Sequence, residues 1–193
     1  MIAYRIDNNV YLNLTNRCSN NCSFCVRTTS DFYKQYDLWL AKEPTADEVM
    51  AAIREQAPAD EYVFCGYGEP LCAFDTLLEV AKRLKAMGKK TRLNTNGQAD
   101  LIVGKGVAHK LKGLVDKVSI SLNAENAQKY NEICACDYGE EGYKSLLRFA
   151  EDCKKEGLNA AFSVVRTPDT DVDAVQKVAD RVGLPLRVRE LIV

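Results

Sequence analysis

Histidine and tryptophan are almost missing from this chain, with one of each, and only 11 of its 193 residues are glycine and 5 are proline. Collagen-like repeats, low-complexity tracts and disordered chains need far more of the last two, so those classes are excluded. An excess of charge of one sign is missing as well. The 26 lysines and arginines face 27 aspartates and glutamates, leaving −1, so no long-range field draws in nucleic acid or an anionic membrane. No stretch runs 18 apolar residues, and the opening MIAYRIDNNVYLNL lacks a basic region followed by an unbroken apolar core and a cleavage site. A soluble, cytoplasmic protein with no membrane partner and no indicated nucleic-acid partner is expected. What is left is an ordinary globular composition, 47% hydrophobic and 27% charged, at a length that suits a single domain over residues 1–193.

Against that background, eight cysteines are many. Thiols kept reduced serve as ligands, nucleophiles or small apolar residues rather than as staples, and their spacing decides which.

Short β-prone runs alternate with amphipathic helices, the pattern of a parallel sheet built from strand-helix units. One helix opens at Thr45, where Glu48 three residues on completes a capping-box signature ahead of Val49, Ala52 and Ile53. Others place Leu77, Val80, Ala81 and Leu84, then Leu146, Phe149, Ala150 and Cys153, then Val175, Val178, Ala179 and Val182 at helical spacing. They stop at Gly88, Gly157 and Gly183. Strands are expected at 10–16, 61–66, 89–96, 115–123, 158–165 and 184–193. A closed barrel of eight units takes about 250 residues. Six units therefore predict an α/β fold of the open, partial (β/α)6 TIM-like barrel kind, with a flat doubly wound sheet as the alternative. In both, chemistry gathers where strands end and loops begin.

Directly after the first of these strands, Cys18, Cys22 and Cys25 form a CxxxCxxC run. Three soft ligands on one tight loop suit an iron–sulfur cluster or a zinc ion, and three rather than four leave a metal position open to a small molecule. No further cysteine adjoins the loop, and the one histidine, His109, lies far along the chain. With Phe24 as the aromatic before the third cysteine, the run resembles the signature of the radical S-adenosylmethionine (SAM) superfamily. The resemblance implies that Cys18, Cys22 and Cys25 hold a 4Fe-4S cluster, that S-adenosyl-L-methionine chelates its fourth iron, and that Phe24 lies beside the adenine.

The second strand ends in Cys65-Gly66-Tyr67-Gly68-Glu69-Pro70, a turn that exposes backbone carbonyls. It resembles the family's Gly-Gly-Glu-Pro motif, with Tyr67 where many members have glycine. By that resemblance Tyr67, Gly68 and Glu69 receive the SAM amino group. Asn94 and Asn96 share a face of the third strand, and Ser119, Ser121 and Asn123 share a face of the fourth, opposite Val118, Ile120 and Leu122. These strand ends resemble those that bind the ribose hydroxyls and carboxylate of SAM in the family. Arg166, ending the fifth strand, is the candidate cation for the carboxylate. A helix cap or a solvent-facing polar residue explains each of them singly as well; their common place at strand ends favours a site.

Within the superfamily the chain most resembles the small radical SAM proteins associated with TatD-type metallohydrolases, on LTNRCSNNCSFC, FCGYGEP and the long loop after Cys25. The resemblance implies an enzyme that cleaves SAM to a 5′-deoxyadenosyl radical, which takes hydrogen from a small-molecule or protein substrate. The partners are then a flavodoxin- or ferredoxin-like reductant and a TatD-type hydrolase. The alternatives are a glycyl-radical-enzyme activase and a non-enzymatic iron–sulfur electron carrier. Ser121-Leu122-Asn123 stands where activases often carry Asp-x-Lys, and three ligands disfavour a carrier. No acid or base is identifiable. Residues 26–44 make a long connection with Phe32, Tyr36, Trp39 and Leu40 at helical spacing, which reads as a lid or as a helix on the barrel rim. Cys65 and Cys72 flank the glycine turn. Cys134, Cys136 and Cys153 do not make a second cluster motif, and the basic run at 82–92 reads as a solvated helix end.

Overall fold

The computed structural model describes residues 1–29 and 36–191, without the side chains of residues 28 and 29. Strand β1 (Ala3–Ile6) turns back at Asp7, which adopts φ 52°, and pairs antiparallel with β2 (Asn9–Leu12). Such a left-handed turn position is one that aspartate tolerates. From β2 onward every neighbour is parallel: β3 (Glu61–Phe64), β4 (Thr91–Thr95), β5 (Lys117–Ser121), β6 (Ala160–Arg166) and β7 (Leu186–Glu190). The sheet order is simply β1 to β7, so the edges are β1 and β7 and the sheet is not closed. The six parallel strands are those the pattern predicts; the antiparallel β1 is added at one edge.

Helix α1 (Val26–Thr29) follows the cysteine loop, and α2 (Ala46–Arg54) begins at the expected capping box. There the Glu48 amide donates to Thr45 Oγ1 at 3.3 Å, and the Thr45 amide donates to Glu48 Oε2 at 2.8 Å. Helices α3 (Phe74–Ala86), α7 (Glu140–Lys155) and α8 (Val172–Val182) bury the apolar stripes read from the sequence. Three shorter helices, α4 (Ala99–Ile102), α5 (Val107–Leu111) and α6 (Ala127–Cys134), complete the connections. One face of the sheet packs into the core. Val10, Leu12, Phe64, Leu93, Ile120, Phe162 and Val164 on that face are wholly buried.

The opposite parity of the same strands is largely polar. It carries Glu61, Arg92, Asn94, Lys117, Ser119, Ser121, Ser163 and Arg189. Closed barrels fill their interior with branched apolar side chains, whereas this concave face forms a cleft. At the starts of β3, β4 and β5, outside the cavity lining, Arg92 and Lys117 share Glu61, at 2.8 and 3.1 Å, and the Arg92 guanidinium stands 6.0 Å from the Tyr11 ring.

Residues 36–44 do not form the helix that the spacing of Tyr36, Trp39 and Leu40 suggests, and Phe32 lies outside the described residues. The backbone is instead strapped to the end of β2. Asn13 Nδ2 donates to Leu38 O at 2.6 Å, Asn16 Nδ2 donates to Leu40 O at 2.7 Å, and the Leu40 amide donates to Asn16 Oδ1 at 3.0 Å. Leu38 is buried, while Trp39 is exposed. Within the 82–92 run Arg83 pairs with Glu79 and Asp47, and Lys85 with Asp116, as a solvated helix end should. His109 is at the surface beside Glu156. Among the described residues no helix is long and apolar enough to cross a membrane.

Candidate metal and cofactor site

The loop that leaves β2 brings Cys18, Cys22 and Cys25 to the wall of one cavity of about 250 Å³, at the ends of the parallel strands. Buried bonds hold this loop from behind. The Asn21 and Ser23 amides donate to Cys134 O and Ile133 O at the end of α6, and Asp137 N donates to Ser19 O. Ser19 Oγ donates to Gln98 Oε1 at 2.6 Å, and Asn96 Nδ2 donates to Ser19 Oγ at 3.0 Å. Gln98 Nε2 donates to Asn20 Oδ1 at 2.8 Å and to the Tyr130 hydroxyl at 3.0 Å, which also accepts from Asn20 Nδ2 at 2.9 Å. A buried network this well satisfied specifies one geometry, because any partly paired alternative leaves costly polar groups. The sequence reading missed Ser19, Asn20, Gln98 and Tyr130. Gln98 stood next to the Asn94–Gly97 strand end and was findable there; nothing local marks Tyr130.

The glycine turn after β3 packs directly on this loop. A Cβ on Gly68 would stand 2.3 Å from Thr15 O and 2.6 Å from Arg17 O, and one on Gly66 would stand 2.0 Å from Asn13 Oδ1. Close approach, rather than a left-handed backbone, is therefore what requires glycine here. The Glu69 amide donates to Arg17 O at 2.8 Å and the Cys65 amide to Leu12 O at 3.1 Å. Tyr67 lines the cavity, and its ring meets Trp39 edge-on at 5.2 Å.

Glu69 is only 3% exposed. Its carboxylate accepts from Leu71 N at 3.0 Å, Thr95 Oγ1 at 2.7 Å and Asn96 N at 2.7 Å. These neutral donors favour the charged form, but burial outweighs them and pushes the carboxyl up to about 7. No cation among the described residues pairs with it. Asn94 and Asn123 each present a buried Oδ1 with no hydrogen-bond partner, and both line the cavity, as do Phe24, Gly68, Asn96, Ser119 and Ser121. Such orphaned acceptors and a lone buried acid are what a polar, cationic ligand would satisfy.

Burial pushes the Cys18 thiol up to about 12 and raises Cys25 as well. Cys22 is held low because the Cys134 thiol donates to its sulfur, and the same contact drives Cys134 upward. Cys134 is wholly buried behind Cys22 and does not border the cavity, so three thiols face it from the loop. Among the described residues no three of His, Cys, Asp and Glu converge on a point where a single ion would sit. The three thiols instead share the wall of one cavity. Cys65 also borders the cavity; Cys72 does not, and Cys136 and Cys153 belong to the core.

Arg166 is placed otherwise than expected. Alternation along β6 turns Ser163 and Val165 to the cavity and sends Arg166 to the other face. There it is exposed, is not itself in the cavity lining, and pairs at 3.2 Å with Glu190, which is. The arginine that borders the cavity is Arg189 on β7.

A family model described as the radical SAM superfamily matches residues 12–181. A Methanocaldococcus jannaschii protein named for glycyl-radical enzyme activation is 31% identical over 101 residues, covering 52% of this chain and 40% of that protein. The pre-heme d1 synthase of Dinoroseobacter shibae is 27% identical over 178 residues, covering 91% of this chain and 41% of the synthase. The chain thus spans about two fifths of the length of these curated relatives. Among solved structures, Streptococcus suis SuiB bound to S-adenosylmethionine superposes with a TM-score of 0.73 at 15% identity, covering 95% of this chain and 40% of SuiB. SuiB bound to its precursor peptide SuiA superposes equally well. At that identity the likeness is one of fold.

Proposed function

The chain belongs to the radical SAM superfamily, a family that implies a 4Fe-4S cluster and SAM, and from that premise we propose that it is an enzyme holding the cluster on Cys18, Cys22 and Cys25 with SAM in the adjoining cavity. When bound, the reduced cluster and SAM supply a 5′-deoxyadenosyl radical that takes a hydrogen atom from the substrate.

The protein's own residues bind, orient and shield. Glu69, buried without a cation, accepts from the ammonium of SAM, whose charge returns the carboxyl to its ionised form. The unpaired oxygens of Asn94 and Asn123 accept from the ribose hydroxyls, and the Ser119 and Ser121 hydroxyls donate to the ligand's carboxylate. Phe24 and Tyr67 offer apolar faces to the adenine and cover it from water. Gln98 and Tyr130 keep the cysteine loop in register with these groups. The single observation that carries the reading is the meeting, in one cavity, of three loop thiols with a lone buried acid and two orphaned amide oxygens.

Two finer readings belong to the same proposal. The TatD-associated subgroup is supported by LTNRCSNNCSFC and FCGYGEP, and a flavodoxin- or ferredoxin-like protein supplies the electron. A relative named for activating another enzyme and a fold neighbour bound to a peptide support a protein or peptide substrate. The test is anaerobic reconstitution with iron and sulfide, addition of SAM and dithionite, and chromatography for 5′-deoxyadenosine. The intact protein forms it, and Cys22→Ala loses both the cluster absorbance and the product. An intact cluster that leaves SAM uncleaved would make the protein an electron carrier and overturn the proposal.

A further inference from the structure

The cleft carries charge that SAM does not use. By strand parity Arg92, Lys117, Arg187 and Arg189 share the polar face of the sheet, and of these Arg189 borders the cavity, which the carboxylates of Glu69 and Glu190 also line. Arg92 and Lys117 are both committed to Glu61. Arg187 and Arg189 stand two residues apart on β7, hence on one face, and neither makes a hydrogen bond or ion pair with a described residue. Their neighbour Glu190 also lines the cavity, but its carboxylate is paired with Arg166 at 3.2 Å. Arg189 borders the cavity, as Ser163 does, and lies near enough to the Cys65 thiol to act on its charge.

We propose that Arg189, backed by Arg187, receives an oxyanion of the substrate, a carboxylate or a phosphate, at the β7 wall of the cleft. The inference rests on the SAM chemistry proposed above and assigns the side of the cavity from which the substrate is held. The groups suited to SAM sit on the ends of β3, β4 and β5, next to the cysteine loop, whereas β7 is the far edge of the sheet, five strands from β2. A guanidinium fork grips either oxyanion with two parallel hydrogen bonds, and an unpaired cation on a cavity wall attracts an entering anion. The Ser163 hydroxyl, on the same wall, is a further donor.

The test uses the anaerobic holoprotein loaded with SAM, titrated calorimetrically at fixed ionic strength with malonate and separately with inorganic phosphate, with chloride as the control. The intact protein binds at least one of the two oxyanions saturably, and the tighter one names the group. Arg189→Gln weakens that binding about tenfold or more, Arg189→Lys weakens it less because charge remains without the fork, and Arg187→Gln has the smallest effect. SAM affinity, measured in parallel without the probe, stays at the unsubstituted value in all three variants. Failure of the intact protein to bind either probe overturns the inference, as does unchanged probe binding in Arg189→Gln. A parallel loss of SAM affinity in that variant overturns it too, since the arginine would then serve the cofactor. Failure of the intact holoprotein to bind SAM at all would instead count against the proposed function, so the two fail separately.

Discussion

The two faces of one sheet divide the labour of this protein. On the convex face, residues such as Leu12, Phe64, Ile120 and Phe162 are wholly buried in the core. One position along on the same strands, the concave face presents Cys65, Asn94, Ser119, Ser163 and Arg189 to a cavity. Hydrophobic burial scales with apolar area removed from water, so folding energy is concentrated on the first face. The second is left to carry polar groups, among them the unpartnered oxygens of Asn94 and Asn123. An enzyme can change the second face without dissolving the first.

Three substitutions would break or sharpen that contrast. Phe162→Ala, on the convex face, should cost about 3–5 kcal/mol by loss of buried contacts and the cavity left behind, read as a fall in the urea midpoint; a loss below 1 kcal/mol would show that the convex face is not where stability lies. Glu69 comes next. Its carboxyl is raised in the folded protein to about 7 against an ordinary 4.5, so the folded state holds the proton more tightly than the unfolded one. The resulting stability is fully present below pH 4.5 and is lost as pH rises through about 7, on the order of 3 kcal/mol in all. Urea unfolding of the cluster-free protein between pH 5 and 8 should show this decline, and Glu69→Gln should remove it; equal slopes in the two proteins would refute the burial argument. SAM, by placing an ammonium on the carboxylate, should flatten the decline in the holoprotein. Smallest in stability is Ser119→Ala on the concave face, expected to change it by no more than about 0.5 kcal/mol while weakening SAM binding measurably by equilibrium dialysis. A large destabilisation there would mean that the concave face is also core.

Much of this was legible in residue spacing, for physical reasons that differ by element. The capping box at Thr45 and Glu48 formed as read because all of its atoms lie within one turn. Cys18, Cys22 and Cys25 reach one cavity because they share one loop. Asn94, Ser119 and Ser121 also border it, since alternation along a strand is local geometry, and Asn96 and Asn123 border it from the turns just past the ends of β4 and β5. The same rule, applied without counting parity, produced the error at Arg166: one residue past Val165, it faces the other way. Counting in twos along β7 would have drawn attention to Arg187 and Arg189. The helical spacing of Tyr36, Trp39 and Leu40 misled because Asn13 and Asn16, more than twenty residues earlier, take the backbone groups that a helix would have used.

Local order along the chain determined the strand-helix alternation, the cysteine loop and the polar strand ends, because each of these depends on neighbours within a few residues. Only the folded molecule decided that Cys134 backs Cys22 across 112 positions, that Tyr130 and Gln98 clamp the loop, and that Gly68 is glycine for want of space against Thr15. Those contacts join segments brought together by the stacking of parallel units, and no periodicity within a segment encodes which distant side chain will meet it.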